Sequence, residues 1–385
     1  MSEIYIVFVV FLFVLAVFDL MVGVSNDAVN FLNSAIGAKV AKFRTIIIVA
    51  AVGVFMGATM SNGMMEVARN GVFHPAMFSL KELMFIFLAV MISDVILLDI
   101  FNNLGLPTST TVSLVFELLG GTTAFVLLKL ANDTTGLTVG DLMNTEKALG
   151  MIMAIFVSVA IAFFFGIVLQ YISRLVFTFT YKKNLKWKIG IFGGVATTAI
   201  FYFMLFKGIK SMSFVTPEIY EYIQNHTLAI LGICFLASTA IMQLLYFLKV
   251  NVFKILVLMG TFALAMAFAG NDLVNFIGVP LAGYSAYTDF AASGASDPST
   301  FMMSSLEGPA KSPMIFLVAA GAVMVFSLAT SKKAHNVIKT SVDLSRQSEG
   351  DEMFGSSKIA RVLVRFSNNT ANFFQDVVPD NVKAW

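Results

Sequence analysis

Ser25-Asn26-Asp27-Ala28-Val29-Asn30-Phe31 and Gly270-Asn271-Asp272-Leu273-Val274-Asn275-Phe276 agree at five of their seven positions. Each copy follows a long apolar run, residues 4–24 in the first case and 255–270 in the second. A carboxylate near the centre of a bilayer costs about 2.5–3.5 kcal/mol on insertion scales. An Asp repeated in that setting therefore points to function. The competing reading is a helix interface joined by Asn amides; it accounts for the Asn residues but not for a matched Asp in both copies.

The rest of the chain fits a membrane setting. Of its 385 residues, 58% are hydrophobic and 12% are charged, against about 25% charged in soluble domains. Nine stretches approach the ~20 apolar residues that a spanning helix needs: 4–24, 45–65, 82–102, 111–130, 147–172, 189–206, 227–248, 255–270 and 313–330. The N-terminus lacks the positive flank of a signal peptide, and its apolar run is longer than such a peptide requires, so 4–24 reads as a retained first span. The net charge of +2 gives no reason to expect nucleic acid or an acidic polymer as partner. A single cysteine, Cys234, excludes an intrachain disulfide and a thiolate metal site.

Lys and Arg collect between the runs, most densely at Arg174, Lys182, Lys183, Lys186 and Lys188. Cytoplasmic loops are the basic ones. Placing this loop inside also places Lys39, Lys42, Arg44, Lys249, Lys254, Lys332 and Lys333 inside, with the N-terminus and the loops 131–146 and 284–311 outside. On that path the two Asn-Asp copies enter the bilayer from opposite faces, as in transporters built from inverted repeats with broken helices. The expected fold class is all-α: a polytopic transmembrane helical protein with inverted-topology repeats and discontinuous (hairpin or broken) helices. The expected divisions are 1–248 for the first repeat and following helices, 249–330 for the start of the second, and 331–385 for a cytoplasmic polar tail or loop. Within the tail, Lys358 to Phe366 reads as a basic amphipathic helix, solvated or lying on the inner leaflet.

Two polar stripes run into the apolar segments. Asn26, Asn30, Ser34 and Gly37 fall on one helical face, as do Thr110, Ser113, Glu117 and Gly121. The second stripe follows Gly105-Leu106-Pro107-Thr108-Ser109-Thr110-Thr111, where a Pro suits a helix start and hydroxyls suit its capping. A helix N-terminus carrying several hydroxyls favours an anion; ordinary capping of a spanning helix is the plainer alternative. Asp19, Asp27, Asp94, Asp99, Glu117 and Asp272 lie within or beside the spans, whose interiors hold no Lys or Arg. Such carboxylates must be protonated, bind a cation or sit in water. An anion entering this site has to arrive with cations, and the oxygen-rich surroundings suit a hard ion such as Na⁺. His74, His226 and His335 fall outside the spans, so none reads as a proton relay. No nucleophile–base pair or His-Glu-x-x-His spacing is present, so no enzyme is expected. An intramembrane hydrolase using Ser109 and a passive channel are the readings from other classes.

Gly23-Val24-Ser25-Asn26-Asp27-Ala28-Val29-Asn30 with Ile36-Gly37-Ala38, Ala269-Gly270-Asn271-Asp272-Leu273-Val274-Asn275-Phe276-Ile277-Gly278, and Pro107-Thr108-Ser109-Thr110-Thr111 resemble three motifs of the inorganic phosphate transporter family, in the right order. The resemblance covers most of residues 1–330. It implies cation-coupled symport of inorganic phosphate across the cell membrane, with Na⁺ favoured and H⁺ or another tetrahedral oxyanion such as sulfate as alternatives. By position it implies phosphate ligands at Asn26, Asn30, Ser109, Thr110, Thr111, Asn271 and Asn275, and cation ligands at Asp27 and Asp272. Glu117 joins the cation set from its place on the polar stripe. No cofactor is implied, and the partners are phosphate, Na⁺ or H⁺ and the bilayer, with homo-oligomers open.

Two departures stand out. Val112 occupies the position usually held by His. A second Ser/Thr element is missing from the matching place, where Glu352 to Lys358 is hydrophilic. Either a cytoplasmic insertion delays that element or the chain is a fragment; the expectation is an N-terminal portion of a longer transporter that lacks part of its second half.

Overall fold

The structure, a computed structural model, describes residues 2–61, 67–132, 136–178, 185–208, 216–308, 312–344, 361–362 and 364–369. Residues up to Val342 form one compact unit, and 343–385 form another. The chain is helical: α1 Ser2–Gly37, α2 Phe43–Met60, α3 Leu80–Leu104, α4 Thr110–Ala131, α5 Val139–Leu142, α6 Thr145–Phe177, α7 Lys186–Gly208, α8 Pro217–Asn225, α9 Thr227–Phe247, α10 Val252–Ser293, α11 Met314–Thr330 and α12 Lys332–Leu344. Among the described residues eight helices are long and apolar enough to cross a membrane, and the bent pair α11–α12 makes a ninth. Each of the nine apolar stretches corresponds to one of these helices. The protein is a multi-pass membrane protein.

Local chemistry sets several helix ends. α3 starts in a capping box: Ser79 Oγ accepts from the Glu82 N–H, and Glu82 Oε2 accepts from the Ser79 N–H at 2.8 Å. It stops at Gly105, whose φ of 68° is a left-handed conformation that glycine adopts without a Cβ penalty. α4 begins with Ser109 Oγ accepting from the Val112 N–H. Its last turn carries Lys129, which complements the helix dipole, pairs with Glu82 at 3.0 Å and lies 5.1 Å above the Phe78 ring.

The signature copies lie inside uninterrupted helices. α1 runs through Ser25–Phe31, and α10 runs for 42 residues through Gly270–Phe276 and on past Pro280. The interruptions occur instead between α3 and α4, at residues 105–109, and at Ser331, where α11 and α12 meet at 67°. Asn and Asp weaken helices when their side chains bind nearby backbone. Here the side chains of Asn26, Asp27 and Asn275 find partners on other helices, so the backbone ladder continues.

The core is built by α1, α2, α3, α4, α10 and α11, with Leu12, Leu32, Phe87, Met91, Leu273 and Phe276 fully enclosed. α1 and α10 cross at the signature itself, where the Phe276 ring fills the space beside Gly23. α2 lies against α10 through small residues. A Cβ at Gly53 would sit 2.6 Å from the Phe262 carbonyl oxygen, and one at Gly57 would collide with the Met266 backbone. Gly53-x-x-x-Gly57 is thus a close-packing face. α6 is almost wholly exposed, with Phe156, Phe163 and Leu169 each more than 60% accessible. Such a surface is stable facing hydrocarbon and would associate in water. α7 and α9 pair beside it over a smaller cluster of Ile189, Met242, Val252 and Leu256.

The polar segment that begins at 331 is not a tail throughout. α12 buries Ala334, Val337, Ile338 and Thr340 on one face. Lys333 pairs with Asp99, Asn33 donates to Ser341 at 2.9 Å, and His335 meets Phe43 edge-on. Low average hydropathy conceals this amphipathic face, so the boundary of the first unit falls near Val342. Of the stretch 358–366, residues 361–362 and 364–366 are helical and exposed; 358–360 and 363 lie outside the described residues, as do Lys182, Lys183 and 352–358.

Gly57→Ala should destabilise the protein by about 1–3 kcal/mol, the usual cost of overpacking, seen as a lower melting temperature in detergent. Gly120→Ala, where nothing lies within 4 Å of the added methyl, should melt with the wild type. Equal melting of both variants would contradict the α2–α10 contact.

Candidate functional site

Three helices and one interruption converge on the signature residues. On α1, Asn26 is fully buried and Asp27 is 4% exposed. Asn26 Nδ2 donates to Asn102 Oδ1 at 2.9 Å and to the Leu106 carbonyl at 3.0 Å, and Asn26 Oδ1 accepts from the Thr108 N–H at 2.8 Å. Asn102, the last buried residue of α3, returns through Nδ2 to the Val22 carbonyl at 2.7 Å. Both hydrogens of the Asn26 amide and its oxygen are committed. Asn26 therefore holds the 105–109 link in place and sets where α4 begins.

That link carries the hydroxyls to the carboxylates. Thr110, at the first turn of α4 and 2% exposed, donates to Asp27 Oδ2 at 3.2 Å. From α10, Asn275 Nδ2 lies 2.9 Å from Thr111 Oγ1, 3.5 Å from Thr110 Oγ1 and 3.4 Å from Asp272 Oδ1. Asn271 Nδ2 reaches Asp272 Oδ1 at 3.2 Å. Asp27, Asp272, Asn275, Thr110 and Thr111 thus form one connected group across α1, α4 and α10, and Asp27 lies within electrostatic range of Asp272. Asp27, Thr110, Asp272 and Asn275 are buried; Asn30, Ser109 and Asn271 are exposed. This group offers carboxylate, amide and hydroxyl oxygens to a small cation, and hydroxyl and amide donors at a helix N-terminus to an anion.

Glu117 is placed elsewhere. It lies one turn past Ser113 on α4, and Ser113 Oγ sits 3.0 Å from Glu117 Oε1 and 2.6 Å from Asp94 Oδ1 on α3. Asp19, about two turns before Asp27 on α1, has no solvent exposure. Asp99, by contrast, is half-exposed and paired with Lys333. Among the described residues no group of three or more His, Cys, Asp or Glu side chains is arranged to hold a metal ion.

Sequence reasoning missed Asn102 and the serines that meet near the α11–α12 bend. Ser25 Oγ lies 2.7 Å from Ser331 Oγ, and Ser327 donates to the Met21 carbonyl at 2.9 Å. Asn102 stands before Asn103 and a Gly, a pattern that reads as an ordinary helix end.

Residues 23–341 match the family described as the phosphate transporter family. The chain belongs to the phosphate transporter family. Among solved structures, "The sodium-dependent phosphate transporter" matches with a TM-score of 0.63 at 18% identity, covering 89% of this chain and 79% of that one. No curated protein matches. Family membership makes this chain a phosphate transporter and not an enzyme, and the structural likeness supports the shared helical fold. In this transporter all three motifs that carried the family resemblance meet in one place.

Asn26→Ala would leave the Thr108 N–H, the Leu106 carbonyl and Asn102 without their partner, at about 1–3 kcal/mol for each group left buried and unsatisfied. Both the melting temperature and phosphate uptake should fall. A variant that melts like the wild type would contradict the positioning role.

Proposed function

We propose that this protein is a secondary transporter that carries inorganic phosphate in symport with Na⁺, using the group at the junction of α1, α4 and α10. The observation that carries this reading is the contact of both signature copies with the Ser/Thr element: Asp27 through Thr110, and Asn275 through Thr111. Asp27 and Asp272 hold the Na⁺. Thr110, Thr111 and Asn275, with Ser109, Asn30 and Asn271 at the exposed edge, hold phosphate. Asn26 acts by positioning the hydroxyl element.

Electrostatics explains the coupling. Phosphate entering beside two buried carboxylates meets repulsion of several kcal/mol at low effective dielectric, and a cation bound between them removes it. Each ion raises the affinity for the other by the same factor, as linkage requires. With only helix N-termini, hydroxyls and amides to bind it, the anion lacks the cationic side chain that would permit uncoupled binding. H⁺ coupling, and sulfate in place of phosphate, are the alternatives within the same fold.

The orientation follows from the basic segments. Lys39, Arg174 and Lys254 line one surface cavity, which supports a single basic face formed by segments far apart in sequence. That face is cytoplasmic by the positive-inside rule, with the N-terminus outside, α12 inside, and the two signature copies entering from opposite faces of the cell membrane.

The test is radiolabelled phosphate uptake by proteoliposomes with and without an inward Na⁺ gradient. Saturable uptake that needs Na⁺ is expected, and Asp27→Asn or Asp272→Asn should abolish it while the protein still reaches the membrane. Full Na⁺-dependent uptake in both variants would remove these residues from the cation site. Uptake indifferent to every cation gradient would point to a channel.

A further inference from the structure

Beside the signature group lies a second cluster of carboxyls that the proposed symport does not use. It is built from α1, α3 and α4. Asp19 has no solvent exposure, and neither of its oxygens makes a well-formed hydrogen bond. Asp94 is likewise fully buried, with Oδ2 unpartnered, and Glu117 Oε2 is also sealed and unpartnered. The charges that Asp19 faces are Asp94, Glu117 and Asp27, all negative.

The cations on the surrounding helices stand at their ends. Lys81 and Lys129 are at one end of α3 and α4, with Lys129 paired to Glu82. Lys333 is paired to Asp99 at the other. Arg44 and Lys254 open α2 and α10, and α11 carries no charged residue. Among the described residues no basic side chain pairs with Asp19, Asp94 or Glu117. A buried, unpaired carboxylate is far too costly to persist as an anion.

Ser113 makes the requirement local. Its hydroxyl stands 2.6 Å from Asp94 Oδ1 and 3.0 Å from Glu117 Oε1, yet a serine has one proton to donate. Two full-strength hydrogen bonds there, rather than one proton shared between two acceptors, require one of the acids to be protonated and to donate to the serine oxygen. Asp19, whose buried carboxyl faces the same acids and lies against Asp94, is a place to which that proton can move. The single hydroxyl shared between two acids makes the proton the cation suited to this cluster.

We propose that Asp19, Asp94 and Glu117, bridged by Ser113, form a proton-binding site separate from the Asp27/Asp272 pair, which takes up and releases at least one proton during the phosphate transport cycle. The proposal rests on the transport reading. Proximity supplies the coupling: Asp94 lies within electrostatic range of Asp27, so a proton bound in the cluster lowers the negative potential at the phosphate site, and its loss restores it. One site favouring Na⁺ and the other H⁺ makes uptake respond to both gradients. The residues lie outside the repeated motifs.

The experiment uses the full chain in proteoliposomes enclosing a pH-sensitive dye, with phosphate added at a fixed Na⁺ gradient. The wild type is expected to move protons with phosphate and to show uptake that varies with pH. Asp19→Asn and Glu117→Gln should each lose the proton signal above that carried by phosphate itself, and should flatten the pH profile. An infrared titration of the wild-type protein adds a readout that needs no variant to fold: a protonated-carboxyl band should change with pH and with added phosphate. Variants that keep the wild-type pH profile, or a carboxyl band that responds to Na⁺ but not to pH, would overturn the proton site while leaving phosphate transport intact. If the wild type moves no phosphate under any gradient, the transport reading fails. The infrared titration then still decides whether the cluster binds protons.

Discussion

Five carboxyl groups, those of Asp19, Asp27, Asp94, Glu117 and Asp272, are held among apolar helices without a lysine or arginine between them. In a medium where a single charge costs kilocalories, this arrangement stands only if each group is hydrogen-bonded, neutralised by an ion or protonated. The helices are arranged to meet that demand. Thr110 and Asn275 come to Asp27 and Asp272, and Ser113 comes between Asp94 and Glu117.

The interrupted stretch between α3 and α4 is the means by which the hydroxyls arrive. Exposed backbone at membrane depth is tolerated where protein or a cavity surrounds it. Asn26 supplies that surrounding, its amide satisfying the Leu106 carbonyl and the Thr108 N–H, and Asn102 holds Asn26 in place. The left-handed Gly105 turns the chain out of α3, and α12 packs over that turn with Thr340 beside the glycine. The polar segment after the last apolar span thereby joins the first compact unit as far as Val342. α6, α7 and α9 contribute hydrophobic surface at its periphery and none of the residues that meet where α1, α4 and α10 join.

Both long helices, α1 and α10, pass through the signature without breaking. An Asn-Asp pair in a helix signals a break only when its side chains turn back on their own backbone. Here Asn26, Asp27 and Asn275 are engaged by neighbouring helices, and Asn271 and Asp272 bond side chain to side chain within α10, so both helices keep their hydrogen-bond ladders. Close approach at Gly23, Gly53 and Gly57 lets the helices come near enough for those side chains to reach across.

The sequence by itself determined that the chain is helical and crosses a membrane, because hydrocarbon admits only backbone that satisfies itself and nine apolar runs announce where it does so. It also determined which residues are costly enough to be functional. The matched Asp27 and Asp272, and the hydroxyls after Pro107, are legible as departures from apolar periodicity. Tertiary structure decided how they are grouped. It set Asn26 to positioning through Asn102, separated Glu117 from the Asp27/Asp272 pair and placed it with Asp94 near Asp19, and brought α12 against Gly105. Those outcomes depend on which helix faces meet. That is settled by packing between segments hundreds of residues apart, such as Asn33 and Ser341, and leaves no local pattern in the chain.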